Sequence, residues 1–231
     1  MKQVLIDYVE ICTDFPDNKQ LTKVQKKQKH NLMMKWKNAE YMEMPDFNAI
    51  ISFIDAHLSI PIIKPFIQKL LIPAVYRDIC HHKFESLKSL FERIPSEVIN
   101  TDRDYIFLLE EATKFQYSTT QLADMVLVND PNHTATLQYV YSVLARILSF
   151  SIHEIPAGVL CGMNGADLMQ ITYLKKDLQK FRELSDKLNH DHDKEFIQYC
   201  DTMYSAYADY LEHRNQYENF EIYLVRHNIE Y

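Results

Sequence analysis

The stretch His190-Asp191-His192-Asp193, with Glu195 close behind, is the densest cluster of metal-ligating side-chain types in the chain. Imidazole nitrogen and carboxylate oxygen together suit zinc, manganese or iron. A metal-dependent hydrolase built on these four residues would need further ligands from elsewhere, and His81 and His82 are candidates. The same stretch also reads as a polar turn. It falls where two long helices must reverse, Asp193 suits the N-cap of the second, and acids favour a helix start.

The segment HEIPAGVLCGMNGA, His153 to Ala166, holds all three glycines of the protein: Gly158, Gly162 and Gly165. A phosphate loop wants Lys-Ser or Lys-Thr after its last glycine and a strand before its first. Here Ala166-Asp167 follows and a helical pattern precedes, so phosphate and dinucleotide binding are set aside. A zincin needs H-E-x-x-H, but residue 157 is Ala; Ser151 and His153, two apart, do not share a helix face. His153 and Glu154 therefore read as capping or core hydrogen-bonding groups. The segment itself reads as a structural joint on a short helix. Pro156 suits its first turn, and Gly158, Gly162 and Ala166 recur every four residues, as do Ala157, Cys161 and Gly165. Asn164-Gly165 then supplies a positive-φ turn. No catalytic residue and no cofactor is assigned.

The elements that must position these groups read as helices throughout. Three glycines in 231 residues, against about 7% in average usage, disfavour hairpins and strand-to-helix turns. The expected fold is all-α, an irregular array of about ten helices with no sheet. Residues 1–45 form an N-terminal helical segment carrying a lysine-rich helix. Residues 46–152 form a helical hairpin array, with Asp46 as a cap and with Pro61 in a first turn. Pro65 and Pro73 should kink or break the helical stretch that follows. Residues 153–231 hold the joint and two long helices. The start, MKQVLIDYVEIC, carries Asp7 and Glu10 and does not read as a signal peptide. No run has the roughly 18 uncharged apolar residues of a membrane helix. The four widely spaced cysteines, Cys12, Cys80, Cys161 and Cys200, read as reduced thiols of a cytoplasmic protein.

HHKFESLKSLFERIP, residues 81–95, resembles the second helix of a tetratricopeptide hairpin. Phe84 stands where that family has an aromatic after its turn, and Phe91 where it has an inward aromatic; TTQLADMVLVNDP, residues 119–131, is similar again. His82 replaces the family's turn glycine, and Pro95 and Pro131 are 36 residues apart, near the family's period. Over residues 61–131 the resemblance implies stacked α–α hairpins, an architecture used for binding other proteins.

Two surfaces could meet a partner. Lys19, Lys23, Lys26 and Lys27 open a run to Lys37 with seven lysines and no acid, in a chain of net charge −7. This basic surface is a solvated face, a contact for an acidic protein surface, or a contact for nucleic acid with Trp36 its single stacking group. Because the rest of the chain is acidic, nucleic-acid binding is not the expectation. Near the C-terminus Phe196, Cys200, Met203, Tyr207 and Tyr210 keep the heptad-like spacing of a core face; Tyr204, Tyr217, Glu218, Glu221 and Tyr223 mix tyrosine with carboxylate, which reads as ordinary packing or as an interface with a basic protein. The function expected is thus non-catalytic protein binding, of the kind an acidic immunity protein uses to neutralise a basic partner. The alternatives are the metal-dependent hydrolase and a nucleic-acid-binding regulator acting through Lys19–Lys37.

Overall fold

The computed structural model describes residues 1–16, 20–93, 105–112 and 116–231. Among them every regular element is a helix and no strand occurs, so the chain is an all-α multi-helix array. Its contacts divide it into two compact units, Met1–Thr136 and Leu137–Tyr231.

The first unit comprises α1 (Gln3–Asp14), α2 (Lys23–Asn38), α3 (Phe47–Ala56), α4 (Lys64–Phe66), α5 (Ile72–Cys80), α6 (Glu85–Glu92), α7 (Tyr105–Ala112) and α8 (Thr119–Leu127). Local chemistry sets their starts. Thr22 and Gln25 form a capping box on α2, Ser118 and Gln121 one on α8, and Asp46 accepts the Ala49 N–H at 2.8 Å to cap α3, as expected.

The prolines behave differently from the expectation. Pro61 lies outside any helix, and Pro65 takes the first turn of α4. Pro73 does not break the run, because α4 and α5 are joined by a π-helical turn, Ile67–Leu71. There the Ile72 N–H reaches back to the Ile67 carbonyl, and the wider turn accommodates a residue that has no N–H.

The core of this unit gathers around Tyr8, whose ring lies 4.9 Å from Trp36 and 4.7 Å from Phe66. Both rings bring a polar atom inside, and both atoms are used: Trp36 Nε1 donates to the Val4 carbonyl at 2.8 Å and the Tyr8 hydroxyl donates to that of Pro61. Ile50, Leu70, Leu87, Leu90 and Leu122 extend the apolar interior.

The second unit begins within α9 (Thr134–Ile152) and continues through α10 (Leu168–Leu188), α11 (Lys194–Glu212) and α12 (Phe220–Arg226). α10 and α11 form an antiparallel hairpin: Ser185 meets Asp193 near the turn, and Lys175 meets Ser205 farther along. Asn189, with φ 59°, ends α10 in the left-handed conformation, a role Asn tolerates without glycine.

The segment 153–166 is not the short helix expected. Leu160 and Asn164 have φ of 51° and 73°, and only Cys161–Met163 forms a 3₁₀ turn. The Ile155–Pro156 peptide is cis. The loop closes on itself through Leu160 N–H to Ser151 O at 2.8 Å and Ala166 N–H to Val159 O at 2.8 Å. Asp167, which follows, forms the α10 capping box with Gln170.

Two of the glycines answer to one side chain, Tyr207 of α11. A Cβ on Gly158 would stand 3.2 Å from the Tyr207 ring, and a Cβ on Gly165, where φ is +78°, would stand 2.9 Å from its hydroxyl. Gly162 is exposed, and its Cβ would meet only the movable carboxylate of Glu154, so it is not part of a packed joint. Gly158→Ala and Gly165→Ala should each lower stability by about 1–3 kcal/mol, through steric overlap and left-handed strain. Gly162→Ala should stay within about 0.5 kcal/mol. Denaturant midpoints of the three variants would separate these cases.

Candidate functional site

The α10–α11 turn places three of the four predicted ligands together. His190, His192 and Asp193 each offer a ligand atom within 4.8 Å of the others. Asp191 points to a different partner: it is exposed and pairs with Lys194 at 2.8 Å. The nearby ammonium holds the Asp191 carboxyl below the usual range. The cluster includes neither His81 nor His82.

Asp193 is not the side-chain N-cap of α11. The chain makes a 3₁₀ turn over Asp191–Asp193, and the Asp193 carboxylate, 7% exposed, turns inward instead. There it accepts the Tyr141 hydroxyl, 3.0 and 2.9 Å from its two oxygens, and the Ser185 hydroxyl at 2.7 Å. A buried carboxylate is tolerated where donors replace water, and Tyr141 and Ser185 supply them here.

The imidazoles sit beside it. His192 Nε2 lies 3.5 Å from Asp193 Oδ1, and the His190 ring meets Tyr141 edge-on at 4.6 Å and His192 at 5.3 Å. His190 Nδ1 is buried and has no hydrogen-bond partner among the described residues. Burial first, and then the bond to Asp193, push the Tyr141 hydroxyl up to about 12.

The tyrosine-rich end is largely core. Tyr204 and Tyr223 are buried and so are removed from the expected partner surface. Ser151 Oγ donates to the Leu148 carbonyl at 2.7 Å, so its 2.6 Å bond to Tyr204 has the phenol as donor. Tyr223 donates to Asp209 at 2.6 Å. Tyr217 is half-buried and bonds His227 Nε2 at 2.9 Å, while Glu218 and Glu221 remain exposed. A heptad pattern of apolar and tyrosine residues fits both a core and an interface, and what decides here is that Tyr204 and Tyr223 are buried and each has an acceptor for its hydroxyl.

On the basic surface Lys23, Lys26 and Lys27 are exposed on the first turns of α2, and Lys19 lies outside the described residues. Lys26, Lys29 and His30 rim a cleft of about 540 Å³ over Leu21, Met33, Ile63 and Pro65. Trp36 is buried, so it is not available to stack on a base.

One constellation was not legible in sequence. His133 joins Thr136 Oγ1 at 2.8 Å and Glu92 Oε1 at 3.0 Å, a hydroxyl–imidazole–carboxylate chain across 41 residues. It has the residue types of nucleophilic catalysis. Thr136 is fully buried, so no substrate reaches its hydroxyl, and the chain acts as a polar tie at the start of α9. Only the His133–Thr136 spacing, one helical turn, was visible beforehand.

Several large apolar side chains of the second unit face solvent. Ile147 and Phe150 on α9, Met163 on the 3₁₀ turn, and Leu168, Met169 and Tyr173 on α10 are all exposed. Phe150 stacks on His153 at 4.9 Å, and Lys176 lies over the Tyr173 ring at 5.5 Å.

Comparison of the chain with protein-family models, with curated proteins and with solved structures returns no match.

Tyr141→Phe tests the buried carboxylate. It should lower stability by about 1–3 kcal/mol at neutral pH, because Asp193 loses a donor. The folded pKa of Tyr141 lies above its ordinary value of 10.0. Stability tied to the protonated phenol is therefore complete below pH 10 and is lost as pH rises toward 12. Denaturation series should show a steeper alkaline loss in the wild type than in Tyr141→Phe.

Proposed function

We propose that the chain is a non-catalytic protein-binding module that docks a basic protein through the apolar face of its second unit. The observation that carries this reading is the concentration of exposed apolar side chains between Ile147 and Tyr173. Phe150 is 48% exposed, Met169 61% and Tyr173 56%. Aromatic and methionine side chains are enriched where proteins meet. The exposed acids Asp167, Glu218 and Glu221 belong to the same unit, and the chain carries a net −7. Such charge favours approach of a basic partner. An immunity-type role, neutralising that partner, is the concrete form of this reading. The hydroxyl–imidazole–carboxylate chain at Thr136 has no exposed nucleophile, which weighs against hydrolysis there.

The triple variant Phe150→Ser, Met169→Ser, Tyr173→Ser tests the face. Its stability should stay within about 1.5 kcal/mol of wild type, since all three side chains are exposed. Wild-type protein used as bait in native lysate should recover a basic partner in stoichiometric amount, and the triple variant should lose it. Equal recovery by the variant would place the interface elsewhere.

A further inference from the structure

The geometry points to a site for one divalent transition-metal ion, with zinc the best fit, held by His190, His192 and Asp193 at the α10–α11 turn. Its three ligand atoms lie within 4.8 Å of one another. Two ligands on one tetrahedral zinc, each bonded at about 2.0–2.1 Å, stand about 3.3 Å apart. Closing the widest separation asks for a shift of about 1.5 Å. Part of that shift can come from His192, whose side chain is 75% exposed.

Two features do not follow from a plain polar turn. His192 Nε2 and Asp193 Oδ1 are 3.5 Å apart, too long for a hydrogen bond. That separation is close to the roughly 3.3 Å between neighbouring ligands on a tetrahedral zinc. His190 Nδ1, meanwhile, is buried without a partner. Buried imidazole nitrogens are ordinarily paired, and a metal ion would give the His190 ring such a role.

The surroundings of Asp193 match the way metal-bound carboxylates are held. Tyr141 and Ser185, from two other helices, fix its orientation by hydrogen bonds. Its Oδ1 receives only the Tyr141 hydroxyl, so a lone pair is left on the oxygen that faces His192. Lys194, the adjacent cation, is occupied by Asp191 and leaves the Asp193 carboxylate to the ion.

The donor set selects the metal. Two imidazoles and one carboxylate suit zinc and its neighbours, whereas magnesium and calcium want shells of oxygen. The cluster has no thiolate, which disfavours copper(I). Three protein ligands leave a fourth position for water or for an anionic group of a bound molecule.

The test uses the full chain without a polyhistidine tag, stripped by a chelator. Calorimetric titration with zinc should give one ion per chain with micromolar or tighter affinity. Cobalt(II) should give the visible absorption of a tetrahedral site, which zinc then displaces. Zinc should also raise the melting temperature, because it binds the folded state. His192→Ala, an exposed position, should keep the fold and weaken zinc binding at least about tenfold. Asp191→Asn should bind as the wild type does. If the wild type does not saturate below millimolar zinc, or if His192→Ala binds equally well, the site is refuted. Unaltered partner recovery by His192→Ala keeps this result separate from the docking face.

Discussion

The second unit is organised by a carboxylate that cannot be left alone. Asp193 is nearly buried, and desolvating a charge is tolerable only when donors stand in for water. Tyr141 from α9 and Ser185 from α10 provide them, so three helices are pinned at one point. The same Ser185 hydroxyl lies 2.9 Å from the His190 carbonyl, so its one proton is shared between the two acceptors and ties the path of the turn to Asp193. With that turn fixed, α11 runs back along α10 and delivers Tyr204 to Ser151 and Tyr207 to the glycine segment. The cluster of imidazoles is a by-product of the same anchor, because the turn that buries Asp193 brings His190 and His192 beside it.

Tyrosine does much of the packing. Tyr207, Tyr210 and Tyr223 surround Phe220, with Tyr207 meeting its ring edge-on at 4.8 Å and Tyr210 at 5.4 Å. Of the buried phenols of this unit, Tyr204 has the Ser151 hydroxyl as acceptor and Tyr223 the Asp209 carboxylate. The exposed large apolar side chains of this unit lie instead mainly on α9 and α10, where Ile147, Phe150, Leu168, Met169 and Tyr173 face solvent.

The helical class was legible because glycine scarcity and helical periodicity act locally, and so was the Asp46 cap. Asp193 shows where local rules stop. Its position before a helix satisfies the capping pattern, yet donors 52 and 8 residues away outcompete the helix N-terminus. Pro73 shows the same for backbone: a kink or a break was expected, and a π turn just before it carries the helical run through. Glycines four apart on a would-be helix were misleading because left-handed φ at Leu160 and Asn164 is a property of loop closure, invisible to periodicity. The grouping of His190, His192 and Asp193 was legible because all three lie in one turn. The inward rotation of Asp193 was not.

The loop that carries Asn164-Gly165 also bears on how the protein ages. An asparagine before glycine is chemically fragile, because the unhindered following amide nitrogen can attack the asparagine side chain and expel ammonia. In the folded chain the Gly165 N–H donates to the Leu160 carbonyl at 3.0 Å, so that nitrogen is engaged. Unfolding releases it. Slow covalent damage at this exposed dipeptide is thus gated by conformational opening, and each excursion from the native state advances a chemical clock that refolding does not reset.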